Sequence, residues 1–197
     1  MGTTAFGKGN ATYPMNMYDE SVKVPMIIAH PGSLSAGVQN DALLSHYDFL
    51  PTVLEYLGLP PLREEEAVTL PGRSFAPLLR GEPEATGDGQ RAAVVYDEYG
   101  RTRMLRTRDW KYVHRYPDGP HELYDLEADA GEASNLVADA AHAGKLRELR
   151  GQLERWFAAH VEPALDGAGL PVTGDGQRQP VGRADSFDDS RGVFGKA

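Results

Sequence analysis

The chain has 197 residues, 41% of them hydrophobic and 25% charged, with a formal net charge of −9 and no cysteine. That composition allows one globular domain with a real core. It excludes disulfides, thiolate metal sites and a cysteine nucleophile, and the acidic balance argues against nucleic acid or an anionic membrane as the main partner.

In chain order, the first marked stretch is Phe6-Gly7-Lys8-Gly9-Asn10. Glycine tolerates positive φ and lets backbone approach a ligand closely. A lysine between two glycines presents a compact cation suited to an oxyanion such as sulfate or phosphate, although most loop lysines are simply solvated. Residues 24–29 (Val-Pro-Met-Ile-Ile-Ala) are apolar at every position. This predicts a strand buried on both faces, as in the sheet of an α/β protein. A helix follows, with Asp48 as N-cap, Pro51 in its first turn and Gly58 as its stop. Phe49, Leu50, Val53, Leu54 and Leu57 recur at helical spacing and predict a single apolar face. Leu78-Leu79-Arg80-Gly81 suggests a further helical turn.

From residue 92 the pattern becomes β. Strands are expected over 92–96, 102–106, 110–116 and 122–126, with short links, forming an antiparallel meander with one face wet. Trp110, Tyr112, His114 and Tyr116 share one face, and Lys111, Val113 and Arg115 the other. Arg101, Arg103, Arg106 and Arg108, at near-alternate spacing, could present guanidinium groups to an anion. The pair Asp97-Glu98 stands at a strand end. A helix over about 140–160 carries an apolar stripe of Leu146, Leu149, Leu153, Trp156 and Phe157. Residues 166–197 are poor in core formers, so an extended or disordered tail is expected.

No Walker loop, Gly-x-Ser-x-Gly elbow or His-Glu-x-x-His is present. No apolar run is long enough to span a bilayer. The start has no basic n-region or apolar h-region, which tips the expected compartment toward the cytoplasm.

Taken together, several ordered segments resemble the C-terminal portion of the sulfatase family, within the alkaline-phosphatase-like superfamily. They are Gly7-Lys8-Gly9, Tyr18 to Ile28, Ser45 to Leu54, Leu70 to Gly81, Arg106 to Tyr112, Glu122 to Leu126 and Asn135-Leu136. The resemblance implies an enzyme hydrolysing sulfate esters. Its nucleophile would be a formylglycine made from a Cys/Ser-x-Pro-x-Arg motif, and a divalent cation, usually calcium, would polarise the sulfate. Lys8 matches the family's sulfate-contacting lysine. The chain departs from the family pattern in holding no Cys and no Ser-x-Pro-x-Arg. The paired aspartates and the Asp-His-Gly or Asp-Asn-Gly segment expected ahead of the lysine loop are also absent.

The expectation is therefore a C-terminal part of a sulfatase, inert by itself. No metal or cofactor is expected on this chain; calcium and formylglycine belong to the full-length enzyme. The fold class expected is α/β to α+β. Residues 1–90 would be a remnant of the α/β domain, residues 91–165 a small antiparallel sheet packed by a long helix, and residues 166–197 a tail. Expected partners are a sulfated small molecule or glycan in the full-length enzyme and the missing N-terminal catalytic portion, with self-association through an exposed sheet edge. Substrate contacts are placed at Glu98, Arg103, His114 and Arg115. The alternatives are a non-catalytic module docking on a separate N-terminal half, and a phosphodiester or phosphonate hydrolase of the same superfamily.

Overall fold

The computed structural model describes residues 16–61, 70–82, 91–97, 101–163 and 166–169. Lys8 and Glu98, and residues 170–197 of the expected tail, lie outside the described residues. Eight elements position everything below: α1 (Asp19–Val22), α2 (Phe49–Tyr56), α3 (Ala76–Leu79), β1 (Ala93–Tyr96), β2 (Thr102–Arg106), β3 (Trp110–Arg115), β4 (Glu122–Asp125) and α4 (Ala143–His160). Short 3-10 turns precede α2 at His46–Asp48 and α4 at Ala140–His142.

The four strands form one antiparallel sheet in the order β1-β2-β3-β4, each paired with its sequence neighbour. Short links make this possible. Between β2 and β3, Thr107 closes the turn twice: its N–H donates to the Trp110 carbonyl at 2.9 Å, and its Oγ1 accepts from the Trp110 N–H at 3.1 Å. The outer edge of β4 is covered in part by the Asn135-Leu136 segment, through Leu123 N–H to Asn135 Oδ1 at 2.9 Å and Leu136 N–H to the Leu123 carbonyl at 2.8 Å.

The expected period-2 alternation sorts the side chains onto two faces. On the first, Val94, Leu105, Tyr112 and Leu123 pack under Leu149, Leu153 and Phe157 of α4, with Leu146 and Trp156 at the margin. The stripe read along α4 is the stripe that is buried. The second face is not wet, as the alternation suggested. Met17 lies on it with Met104 and Val113, flanked by Val22 and Val95. A chain segment some ninety residues upstream thus covers the sheet's other side, a long-range contact that strand periodicity cannot anticipate.

Two further expectations are corrected. Residues 24–29 are not a buried strand: they are unpaired, with Val24 60% and Ile27 90% exposed. A doubly buried strand needs neighbours on both edges, and among the described residues every paired strand belongs to the four-stranded sheet. The apolar positions of α2 are likewise not a buried face, since Phe49 is 54% and Leu57 60% exposed. The residue that α2 buries is Thr52, whose hydroxyl donates to the Asp48 carbonyl at 2.5 Å and accepts the Phe75 N–H at 2.9 Å.

Asp48 stands at the N-cap position of α2, as expected, but its side chain makes no cap bond to that helix. It serves instead as the third position of a capping box begun by Ser45 at the preceding 3-10 turn, its Oδ2 accepting the Ser45 N–H at 2.9 Å. Its Oδ1 also accepts the Arg73 N–H at 2.8 Å, and Arg91 reaches Oδ2 at 3.4 Å. One buried carboxylate therefore ties the start of α2 to the 72–74 loop and to Arg91, two residues before β1. Gly58, at φ 67°, ends the helix as expected. We expect Asp48→Ala to lower the unfolding free energy by about 2 kcal/mol, the upper end of the range for a lost cap, because two backbone donors lose their acceptor together. A urea titration followed by circular dichroism measures it; a change under ~0.5 kcal/mol would contradict this role.

Candidate functional site

Each face of the sheet carries one polar cluster. On the face covered by residues 17–22, Lys111, the second residue of β3, is fully buried. Its ammonium donates to the Met17 carbonyl at 3.0 Å and to Asp19 Oδ1 at 2.5 Å, and it stands 2.5 Å from Glu132 Oε1. Glu132 reaches back with its other oxygen to accept the Asp19 N–H at 2.8 Å. Arg106 on β2 completes the set, with its Nη2 3.0 Å from Asp19 Oδ2. Burial alone would raise the Asp19 pKa, but the hydrogen bonds and charges of Arg106 and Lys111 outweigh it and bring it down to about 2. Lys111 and Glu132 hold the one-turn α1 against the sheet from two sides.

The other cluster sits at the far end of the α4 face. Arg103 on β2 and His114 on β3 are register partners. The Arg103 guanidinium lies between the rings of Phe157 (3.7 Å) and Tyr116 (4.8 Å) and is ion-paired to Asp166. The cation is thereby both paired and stacked on two aromatic faces. His114 Nδ1 is 2.7 Å from Tyr112 Oη, and its ring stacks on His121 at a centroid distance of 4.2 Å. Burial, followed by the charges of neighbouring groups that include His121, pushes the His114 pKa down to about 4. Burial, then Arg150 and Arg115, lowers that of His121. Burial pushes the Tyr112 hydroxyl up to about 12.

Of the residues expected to contact a substrate, the structure brings Arg103 and His114 together. Arg115 points to the opposite face, where its Nη1 meets Glu122 Oε1 and the Pro120 carbonyl, both at 2.9 Å. The arginines at 101, 103, 106 and 108 do not make one guanidinium row. Arg103 lies on the α4 face, Arg106 lies on the other with Asp19, and Arg108 is exposed near Asp41. Arg103 and Arg106 stand three residues apart on β2, so alternation puts them on opposite faces, and the three-residue link Thr107-Arg108-Asp109 then reverses the chain at Arg108.

Residues that sequence reasoning missed are His121, Tyr116 and Asp166 at one cluster and Asp19 and Glu132 at the other. One signal was available: a lysine within a strand, flanked by Trp110 and Tyr112, cannot be buried without a carboxylate partner. Among the described residues no group of three or more His, Asp or Glu could hold a metal ion. The Asp19 and Glu132 carboxylates are already engaged by Lys111 and Arg106, so these residues do not fit the calcium implied by the resemblance.

Comparison with known proteins adds the following. The C-terminal family of N-sulphoglucosamine sulphohydrolase matches residues 14–159. The N-acetylglucosamine-6-O-sulfatase of Bacteroides thetaiotaomicron is 34% identical over 146 residues, covering 70% of this chain and 25% of that protein. Arylsulfatase K of Gallus gallus is 36% identical over 136 residues, covering 64% of this chain and 24% of that protein. The fold is like that of the phosphonate monoester hydrolase of Silicibacter pomeroyi, at TM-score 0.52 and 23% identity over 70% of this chain and 29% of that one. The chain spans about a quarter to a third of the length of the curated relatives it matches.

Proposed function

This chain belongs to the sulfatase family, and on that premise we propose that it is the C-terminal part of a sulfuric ester hydrolase acting on a sulfated sugar. The carrying observation is the family match across residues 14–159. Relatives named for N-acetylglucosamine-6-O-sulfate and for a Delta 4,5-hexuronate-2-O-sulfate support the sugar class. The chain has no Cys and no Ser-x-Pro-x-Arg, so in this reading the formylglycine nucleophile and the calcium ligands come from an N-terminal catalytic portion outside these residues, and the chain alone is inert. Lys8 is the sulfate contact. Its ammonium neutralises charge that shifts toward the leaving oxygen, and it acts by preorganised electrostatics rather than proton transfer.

The exposed apolar side chains fit this reading. Val24, Met26, Ile27 and Ile28, with Phe49 and Leu50 of α2 and Leu57 and Leu59 just after it, are exposed apolar side chains of the kind that a catalytic portion would cover. The sheet and α4 need no such cover, having closed their own core.

A chimera tests the proposal. The C-terminal quarter of the Bacteroides N-acetylglucosamine-6-O-sulfatase is replaced by this chain and assayed on N-acetylglucosamine-6-sulfate. We expect turnover in the chimera, a loss of about 10²–10³-fold in kcat on Lys8→Ala, and no turnover by this chain alone with calcium. A folded, active chimera indifferent to Lys8→Ala would overturn the assignment of Lys8. Turnover by the isolated chain would overturn the claim that its chemistry lies elsewhere.

A further inference from the structure

The β3–β4 turn, residues 116–121, is tied to the sheet in part by two stacked histidines, His114 and His121. His121 Nδ1 accepts the Arg115 backbone N–H at 3.2 Å, which fixes the ring as the tautomer with its proton on Nε2. His121 stacks on His114 with an interplanar angle of 21°, and His114 in turn lies 4.3 Å from the Tyr116 ring. Two backbone bonds add to the closure, Gly119 N–H to the Arg115 carbonyl and Tyr116 N–H to the Arg101 carbonyl, both 2.9 Å, as do Arg115 Nη1 on the Pro120 carbonyl at 2.9 Å and Asn135 Nδ2 on the His121 carbonyl at 3.0 Å. Gly119, at φ 96°, is a position that other residues adopt with strain.

The surrounding charges are mostly cationic. Arg103 of β2 and Arg150 of α4 face His114, opposed by Glu154 of α4. Arg150 and Arg115 face His121, opposed by Asp118 of the turn. Glu122 and Asp166, the other nearby acids, are already paired with Arg115 and Arg103. Neither ring can take up a proton here without cost. At His121 the cost is also geometric, because a proton on Nδ1 turns the acceptor of the Arg115 N–H into a second donor.

We propose that the stacked pair His114 and His121 is an acid-released latch: the turn 116–121 stays closed against the sheet while both rings are neutral and opens when they take up a proton. The inference stands apart from the sulfatase reading, since it rests on the turn alone. Its sign follows from linkage. The open turn binds a proton near the ordinary histidine pKa of 6.5, whereas His114 in the closed turn binds one only near 4. The latch is therefore fully closed above pH 6.5 and loosens as pH falls toward 4.

The test is an NMR titration of the whole chain from pH 7.5 to 3.5. It follows the histidine Hε1 signals and the hydrogen exchange of the Arg115 amide. We expect the His114 midpoint well below 6.5. We also expect Arg115 protection, corrected for intrinsic exchange, to fall by up to about tenfold per pH unit through the window below the ordinary histidine pKa. In His121→Phe, which keeps a stacked ring, the Arg115 slope should become shallower, because only His114 is left to titrate, and the His114 midpoint should rise. A His114 midpoint near 6.5, a flat Arg115 protection in the native chain, or an unchanged slope in His121→Phe would each overturn the latch.

Discussion

Lys111→Met is expected to cost about 3–5 kcal/mol of stability, the penalty for stripping one partner from a buried ion cluster. Methionine fills the same volume, so little of the loss comes from packing. The cost arises because Glu132, only 4% exposed, then keeps a carboxylate beside Asp19 with no ammonium between them. Asp19 suffers less, since Arg106 still reaches it. A second substitution separates this account from simple loss of contact. If the uncompensated charge is the cause, Lys111→Met combined with Glu132→Gln should be more stable than Lys111→Met alone by more than 1 kcal/mol. Urea midpoints of the three proteins decide it, and a double variant no more stable than the single one would refute the charge argument. Acid acts on the same cluster. Asp19 has its pKa lowered from 3.8 to about 2, so its contribution is complete above pH 3.8 and is lost as pH falls through 2.

Gly72→Ala should prevent the loop ahead of α3 from closing, with a loss of more than about 3 kcal/mol, beyond the usual range for a surface substitution. A Cβ at Gly72 would stand 1.8 Å from the Tyr47 carbonyl oxygen and 2.3 Å from its carbon. Both clashing atoms are backbone and cannot rotate away. Retreat of the loop would also break the Asp48 bond to the Arg73 N–H and the Thr52 bond to the Phe75 N–H. By contrast, Gly144→Ala, where an added Cβ meets nothing, should be neutral or slightly stabilising because alanine favours the helix. Thermal denaturation of the two variants side by side provides the comparison. Equal melting temperatures would mean that the 72–74 loop yields more easily than its contacts imply.

The meander and its covering helix were legible in the sequence because each depends on short-range pattern. Strand boundaries shift by a residue at most, and the α4 stripe of Leu149, Leu153 and Phe157 is the buried one. What failed depended on neighbours that pattern does not name. Residues 24–29 have the composition of a central strand, yet composition specifies that a strand wants cover, not what supplies it. Asp48 does stand at the N-cap position of α2, but its carboxylate turns back to Ser45 and across to the 72–74 loop, partners that the cap preference of acids does not name. At the candidate site, Arg103 and His114 were identified, and pairing of adjacent strands brings them together. Nothing in the sequence singles out His121, since only the β3–β4 turn brings its ring onto His114. The acids around Lys111 were unreadable for a similar reason: nothing local ties Asp19 or Glu132 to β3.

The reach of the Asp19–Lys111 contact also bears on how the chain assembles. Each sheet pairing joins sequence neighbours through a short turn, so the meander can form from contacts whose loop-closure entropy is small. The bond from Lys111 to Asp19 spans 92 residues. It closes only when a distant segment finds a sheet that already exists, which puts it late on the folding path. Interactions made after the transition state set how fast a protein comes apart, not how fast it forms. The buried lysine is thus a kinetic fastener: it does not guide the sheet into being, but it governs how long residues 17–22 remain on it.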